Sequence, residues 1–337
     1  MQGFVDLPVP PAGEACAEAP YGRRFPMLIL RHVPRRAAGA AALTIGNFDG
    51  VHLGHRAMIE RLRESARRLG VPGCVMTFEP HPREFFAPDQ APARLTSLRE
   101  KLEALAALGV DRVLVCRFDY DFARIAADAF VERFLVGGLA VRWVLVGDDF
   151  RFGARRQGDA ELLTALGRAN GFEVERMPSV MVDAVRASST AVRERLASGD
   201  FGGAGRLLGR PYSISGRVVR GDGIGRRLGF PTANVHMRHD RPPLTGIFVV
   251  ELLGVGETPC PGVASLGVRP TVSDSGRAVL EVHLLDFAGD LYGRHVTVRF
   301  LHKLRDEEKY PGLDALSAAI ARDVERARAY FDRGKHG

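Results

Sequence analysis

From Ala42 to about Pro178, short apolar runs alternate with stretches whose apolar residues recur at helical spacing. The runs Ala42–Ile45, Gly73–Phe78, Arg112–Phe118, Arg142–Gly147 and Phe172–Met177 read as buried strands. Between them Met58, Ile59, Leu62, Ala66 and Leu69 mark one helix stripe. Leu98, Leu102, Leu105 and Leu108 mark a second, and Phe122, Ile125, Ala129 and Phe130 a third. The rhythm predicts a parallel sheet with helices on both faces, an α/β arrangement. In such sheets a ligand sits beyond the carboxyl ends of the strands, near a switch in strand order.

After about residue 210 the period changes. Tyr212–Val219, Ile247–Leu253, Val279–Asp286 and His295–Leu301 are β-rich, with Gly/Pro turns and no helix expected between them. They predict an antiparallel sheet or small barrel. A closing helix carries the stripe Leu313, Leu316, Ile320, Val324 and Ala327, and Arg193–Gly209 reads as a helical connector. A chain of 337 residues is long for one core, so two domains are expected. Residues 1–26, rich in Pro, Ala and Gly, are expected to form a disordered, dispensable tail ahead of Met27.

Composition narrows the class only a little. The apolar share of 46% and the charged share of 26% suit a globular protein with a sizeable core. No apolar run approaches the ~20 residues of a membrane span, and no secretory signal pattern is visible at the start. Cys16, Cys74, Cys116 and Cys260 lie far apart without a C-x-x-C pair. That argues against a zinc ribbon or thiol-redox site and for a reducing, cytoplasmic setting. The net charge of +7 is scattered and carried mostly by Arg, so it suits a polyphosphate ligand as well as a nucleic acid.

The segment Gly46-Asn47-Phe48-Asp49-Gly50-Val51-His52-Leu53-Gly54-His55 joins an apolar strand to an amphipathic helix. Its glycines let the backbone turn sharply and approach a ligand closely. The following helix start offers N–H groups and a positive dipole end to phosphate. His52 and His55, three apart, can both donate to charge developing on a pentacoordinate phosphorus. A metal site is the competing reading, but no Cys or carboxylate–His partner lies nearby. The phosphate loop G-x-x-x-x-G-K-[ST] is absent.

Three segments are candidates to join this site. Phe78, Pro80, His81 and Pro82 make a stiff loop after one strand, and Asp149 follows another. Ser188, Ser189, Thr190 and Arg193 open a helix with hydroxyls and a guanidinium, which suits phosphate. Each alone reads equally as a structural cap or turn. A second candidate site lies in the β-rich half. Gly221, Gly225 and Gly229 suggest a mobile flap leading to Phe230, Pro231, Thr232, Ala233 and Asn234. Thr232 and Asn234 alternate on one strand face and offer two neutral oxygens suited to hydrated Mg²⁺. Glu281, between Leu280 and Val282, reads either as a solvent-facing strand residue or as a general base for an alcohol.

These motifs together resemble the bacterial bifunctional riboflavin kinase/FAD synthetase family, from about Leu28 to the C-terminus. The resemblance implies a Rossmann-like nucleotidyltransferase domain over 27–205 and a six-stranded antiparallel barrel kinase domain with a C-terminal helix over 210–337. It implies that Gly46, Asn47, Phe48, His52, Gly54 and His55 bind ATP, with Ser188, Ser189, Thr190 and Arg193 on phosphate and adenylate. It puts Phe78–Pro82 and Asp149 on the flavin; at Asp149 some relatives carry Asn. In the barrel it implies that Glu281 deprotonates the ribityl hydroxyl of riboflavin, with Arg305 near the flavin and product phosphate. Ser265 stands where many relatives have Asn. The implied partners are ATP with Mg²⁺, riboflavin and FMN, with FMN and FAD as products; neither nucleic acid nor membrane is expected. An aminoacyl-tRNA synthetase-like protein is the rival enzyme reading, but no Lys-Met-Ser-Lys-Ser stretch occurs. A flavin- or RNA-binding regulator is the non-enzymatic one.

Overall fold

The computed structural model describes residues 5–6, 27–239, 241–268 and 278–334. The expected tail over 1–26 lies outside them except for Val5–Asp6, which pair in parallel with Val180–Met181. The chain divides into two compact units, Met1–Pro92 with Lys101–Ser188, and Ala93–Glu100 with Ser189–Gly337.

In the first unit six strands form one parallel sheet. They are β1 (Leu28–Leu30), β2 (Ala41–Ile45), β3 (Gly73–Glu79), β4 (Arg112–Arg117), β5 (Val141–Gly147) and β6 (Glu173–Met177). Their spatial order is β1-β4-β3-β2-β5-β6. The chain builds outward from β2 through β3 to β4, then crosses back to place β5 on the other side of β2. The switch in strand order therefore lies between β2 and β5, whose carboxyl ends are Ile45 and Gly147. All five residues of β2 are buried, as a strand covered on both faces must be.

Helix α1 (Leu53–Leu69) follows β2, and Gly70 ends it at φ 65°, a conformation that favours glycine. Helix α2 (Leu98–Ala107) precedes β4, and α3 (Ala160–Asn170) precedes β6. The third expected helix is broken into Tyr120–Ala123 and Ala127–Phe130, followed by a wider turn over Val131–Gly138. The carbonyl of Ile125 accepts from Ala154 N at 2.7 Å, so the helical ladder cannot run through it.

The second unit begins, after Ala93–Glu100, with α4 (Ser189–Ala197) and α5 (Phe201–Leu208), separated at Gly199 with φ 78°. The connector expected over Arg193–Gly209 is thus two helices. Its packing partner is the barrel, where Phe201 meets Phe248 edge-on at 5.8 Å. Six antiparallel strands close the barrel in the order β7-β8-β11-β10-β9-β12. They are β7 (Ser213–Val219), β8 (Ala233–Met237), β9 (Gly246–Leu253), β10 (Cys260–Val268), β11 (Ala278–Leu284) and β12 (His295–Arg305). Ile214, Phe248, Leu266, Leu280, Val298 and Phe300 are buried in it. Helix α6 (Leu313–Gly334) packs Val324, Ala327 and Tyr330 against Ile247, Val249, Val263 and Leu285. Residues alternating along β9 thus join different packing groups, which explains its continuous apolar run.

Candidate active sites

At the carboxyl end of β2 the chain makes a compact turn. Phe48 (φ 49°), Gly50 (φ 82°) and Val51 (φ 44°) all adopt left-handed backbone. For phenylalanine and valine that costs about 1–3 kcal/mol each, and it persists only where surrounding packing enforces it. Here the Phe48 ring is fully buried, and a Cβ at Gly46 would stand 3.2 Å from it. Gly54 is equally confined, since a Cβ there would meet the Ala187 carbonyl at 3.0 Å and the His52 ring at 3.2 Å.

His52 is the N-cap of α1, its Nδ1 accepting from the His55 amide at 3.4 Å. With Nδ1 an acceptor, the N–H of this imidazole is on Nε2. The two rings stack at 3.6 Å, and His55 also lies 4.9 Å from the ring of Phe48. Burial, then the neighbouring His52 and Lys101, hold the His55 pKa well below its ordinary value, so this imidazole is neutral at physiological pH. Its Nδ1 is enclosed without a hydrogen-bond partner. The turn is braced by Thr77, whose hydroxyl donates to the Asn47 carbonyl at 3.1 Å.

The other predicted segments of the first unit lie at neighbouring carboxyl ends. Phe78 and Glu79 end β3, with a cis bond from Glu79 to Pro80. His81 has a capping role: its Nδ1 accepts from Arg83 N at 3.1 Å while Glu84 accepts from His81 N. Asp149, just past β5, is exposed and paired with Arg186 at 3.1 Å. Sequence reasoning missed an aromatic group here. Phe85 lies 4.8 Å from Tyr120 and 5.5 Å from Phe118, with Phe78 and Phe86 alongside. Phe86 and Tyr120 are 66% and 69% exposed, unusual for rings in a packed cluster. The signal was the run Glu84-Phe85-Phe86 followed later by Phe118-Asp119-Tyr120.

A cavity of about 520 Å³, lined by Arg142, Arg168, Phe172 and Glu173 among others, opens at the amino ends of β5 and β6. Volume alone therefore does not locate the chemistry. Ser188 closes the first unit, whereas Ser189, Thr190 and Arg193 belong to the second. There the Arg193 guanidinium donates to the Ala93 carbonyl at 2.5 Å.

In the barrel, Glu281 stands in register with Asn234 on one side and Ser265 on the other. The three form a row across β8, β11 and β10 on the face away from buried Leu280 and Val282. Gly221 lies against the Asn234 amide, where any side chain would collide. The segment expected to hold no helix contains one turn, Ile224–Arg227. Phe230 N donates to the Gly225 carbonyl at 2.8 Å, and His283 Nδ1 meets the Pro231 carbonyl at 2.9 Å. Thr232 immediately precedes β8 rather than lying within it. Among the described residues no group of three or more His, Cys, Asp or Glu is placed to hold a metal.

Arg305, at the end of β12, is gripped by Asp323 of α6 through Nε at 3.1 Å and Nη2 at 2.6 Å. Its guanidinium also lies 5.7 Å over the Tyr310 ring. A second polar cluster had no role in the sequence reading. Glu100 accepts from Ser215 N at 2.6 Å and Ser97 N at 2.7 Å, and lies 2.7 Å from His239 Nε2.

A strained glycine-containing turn with two stacked imidazoles on a Rossmann-like sheet, and a carboxylate–amide row on a closed barrel, suit a nucleotide-using transferase with two candidate centres. The comparisons agree. Residues 35–191 match the FAD synthetase family model and residues 208–331 the riboflavin kinase model. The chain is 54% identical over 289 residues to the bifunctional riboflavin kinase/FMN adenylyltransferase of Escherichia coli (strain K12), covering 86% of this chain and 92% of the relative. The protein of the same description from Haemophilus influenzae is 46% identical over 302 residues, covering 89% and 97%. A crystal structure described as a macrolide-efflux protein from Streptococcus pneumoniae superimposes with a TM-score of 0.74 at 29% identity, covering 90% of this chain and 99% of that one. No helix among the described residues is long and apolar enough to cross a membrane. The chain belongs to the bifunctional riboflavin kinase/FMN adenylyltransferase family.

Proposed function

We propose that the two activities of this family divide between the Gly46–His55 turn and the Asn234–Glu281 row. The observation that carries the reading is the stacked pair of His52 and His55 on a strained turn beside the strand switch. In the first reaction a phosphate oxygen of FMN attacks the α-phosphorus of ATP. The bond from that phosphorus to the bridging oxygen breaks, and pyrophosphate leaves. No proton transfer to the protein is needed. Gly46, Asn47, Phe48 and Gly54 shape the backbone around the nucleotide, and His52 and His55 donate to oxygens that gain charge. By the family resemblance Ser188, Ser189, Thr190 and Arg193 are the further phosphate-binding candidates. Phe78, Pro80, His81 and Pro82, with the adjoining rings, form the flavin side, His81 through its cap.

In the second reaction Glu281 takes the proton of riboflavin's primary hydroxyl, whose oxygen attacks the γ-phosphorus of ATP and releases ADP. The Gly221–Pro231 segment covers the nucleotide, and Arg305 faces the flavin and the new phosphate. The hydroxyl of Thr232 and amide oxygen of Asn234 are hard, neutral donors that fit Mg²⁺. That ion, arriving with ATP, would neutralise phosphate charge. A cytoplasmic setting fits the separate free thiols Cys74, Cys116 and Cys260. Neither nucleic acid nor membrane enters this reading. Incubation with riboflavin, ATP and Mg²⁺, followed by flavin separation, should show FMN and then FAD. The formation of neither defeats the proposal.

A further inference from the structure

We propose that Lys101 is a further catalytic residue of adenylyl transfer, binding the polyphosphate of ATP from beneath the Gly46–His55 turn. The inference rests on the adenylyl site assigned above.

Lys101 lies in α2 and is only 4% exposed. Its ammonium donates to the Thr77 hydroxyl at 3.4 Å, and that hydroxyl donates to the carbonyl of Asn47. One oxygen thus links the ammonium to the backbone of the turn. The same charge bears on His55, after burial and His52. A lysine is rarely buried, because its charge is costly to remove from water.

The composition makes the position more unusual. Lysine occurs only at 101, 303, 309 and 335, and arginine supplies the remaining positive charge. A chain that uses arginine almost everywhere keeps a lysine here, a compact ammonium on a narrow stem. His55 is neutral, so its ring supplies no fixed positive charge. Lys101 supplies one from within the same unit. In the transfer, the bond from the α-phosphorus to the bridging oxygen breaks and its electron pair goes to pyrophosphate. A cation fixed in advance beneath the turn stabilises that charge without reorganisation.

The full-length chain can be tested with Lys101→Met, which keeps the length, and Lys101→Arg, which keeps the charge. For FAD formation from supplied FMN, Lys101→Met should lower kcat/KM for ATP about 100-fold. KM for FMN and the rate of riboflavin phosphorylation should stay within about twofold, and product inhibition by pyrophosphate should weaken. Lys101→Arg should regain at least about tenfold of the loss. Because there are four lysines, wild-type protein carrying isotope at the lysine ε-carbons gives an independent readout that does not depend on a folded Met variant. Mg²⁺–pyrophosphate should shift the resonance missing from Lys101→Arg more than any other.

An unmoved Lys101 resonance, or FAD formation by folded Lys101→Met within threefold of wild type, overturns the proposal. So does a loss that leaves pyrophosphate inhibition unchanged and is not rescued by arginine, because that marks a structural role. If His55→Ala also leaves FAD formation intact, the assignment of the whole site fails; if only the lysine variant does, the failure is confined to Lys101.

Discussion

The two centres differ in how much of their geometry is built before substrate arrives. In the first unit the turn is locked by a buried Phe48 ring, left-handed backbone at Phe48 and Val51, and two stacked imidazoles. In the barrel the Asn234–Glu281–Ser265 row sits on a strand face under a glycine-rich segment whose Gly223 and Gly229 are left-handed and whose Ile224 is exposed. The chemistry accounts for the contrast. Adenylyl transfer between two phosphates asks for fixed donors around a crowded phosphorus. Phosphorylation of an alcohol asks for a proton acceptor and a cover that opens for a bulky flavin.

The contrast can be broken by reciprocal substitutions. His55→Ala should lower FAD formation from FMN about 1000-fold while riboflavin phosphorylation stays within about twofold. Glu281→Gln should lower riboflavin phosphorylation about 100-fold and leave FAD formation from supplied FMN unchanged. Separate assays of the two steps decide it, and loss of both activities in either folded variant would end the two-centre assignment.

A smaller effect sharpens the barrel's side. Asp323 is 4% exposed at its side chain and Arg305 18%, so Asp323→Ala leaves a guanidinium without its main partner and should cost about 3 kcal/mol of second-unit stability. Denaturant unfolding would measure the loss, with riboflavin phosphorylation declining at lower denaturant than FAD formation. The smallest effect concerns pH. Burial opposes ionisation of Glu100, but bonds from His239, Ser215 and Ser97 outweigh it and hold its pKa below the ordinary value. A depressed carboxylate stabilises the fold above its unfolded pKa of about 4.3, and that contribution is lost as pH falls towards the folded value. Thermal unfolding between pH 5 and about 3 should therefore steepen in wild type and flatten in Glu100→Gln.

Much of the architecture was legible in the chain. The five strands expected before residue 178 match β2 to β6 closely, because buried parallel strands are short apolar runs with clear ends. Strand β10 was not read as a strand, since Pro261, Gly262 and Gly267 look like turn residues; Gly262 is there because a Cβ would press on the His283 carbonyl at 2.7 Å. The single helix expected around Phe122–Phe130 failed on one long-range hydrogen bond at Ile125, which no local pattern encodes. Among the candidate site residues, the motif residues stood out because glycine and histidine at fixed spacing have few other uses. Lys101 and Glu100 were invisible as motifs, although they are adjacent in sequence. They work through partners 24 and 139 residues away, Thr77 and His239.

The alternation along β11 has an evolutionary consequence. Leu280, Val282 and Leu284 are buried, while Glu281 and His283 point the other way. Residues that hold the barrel together and residues that face away from its core are interleaved one by one yet physically segregated. Mutation can therefore vary the outer face while the buried core of the barrel keeps its composition. A laboratory selection for altered kinase specificity should keep Glu281, accumulate changes at Val279 and His283, and spare the even-numbered positions of this strand.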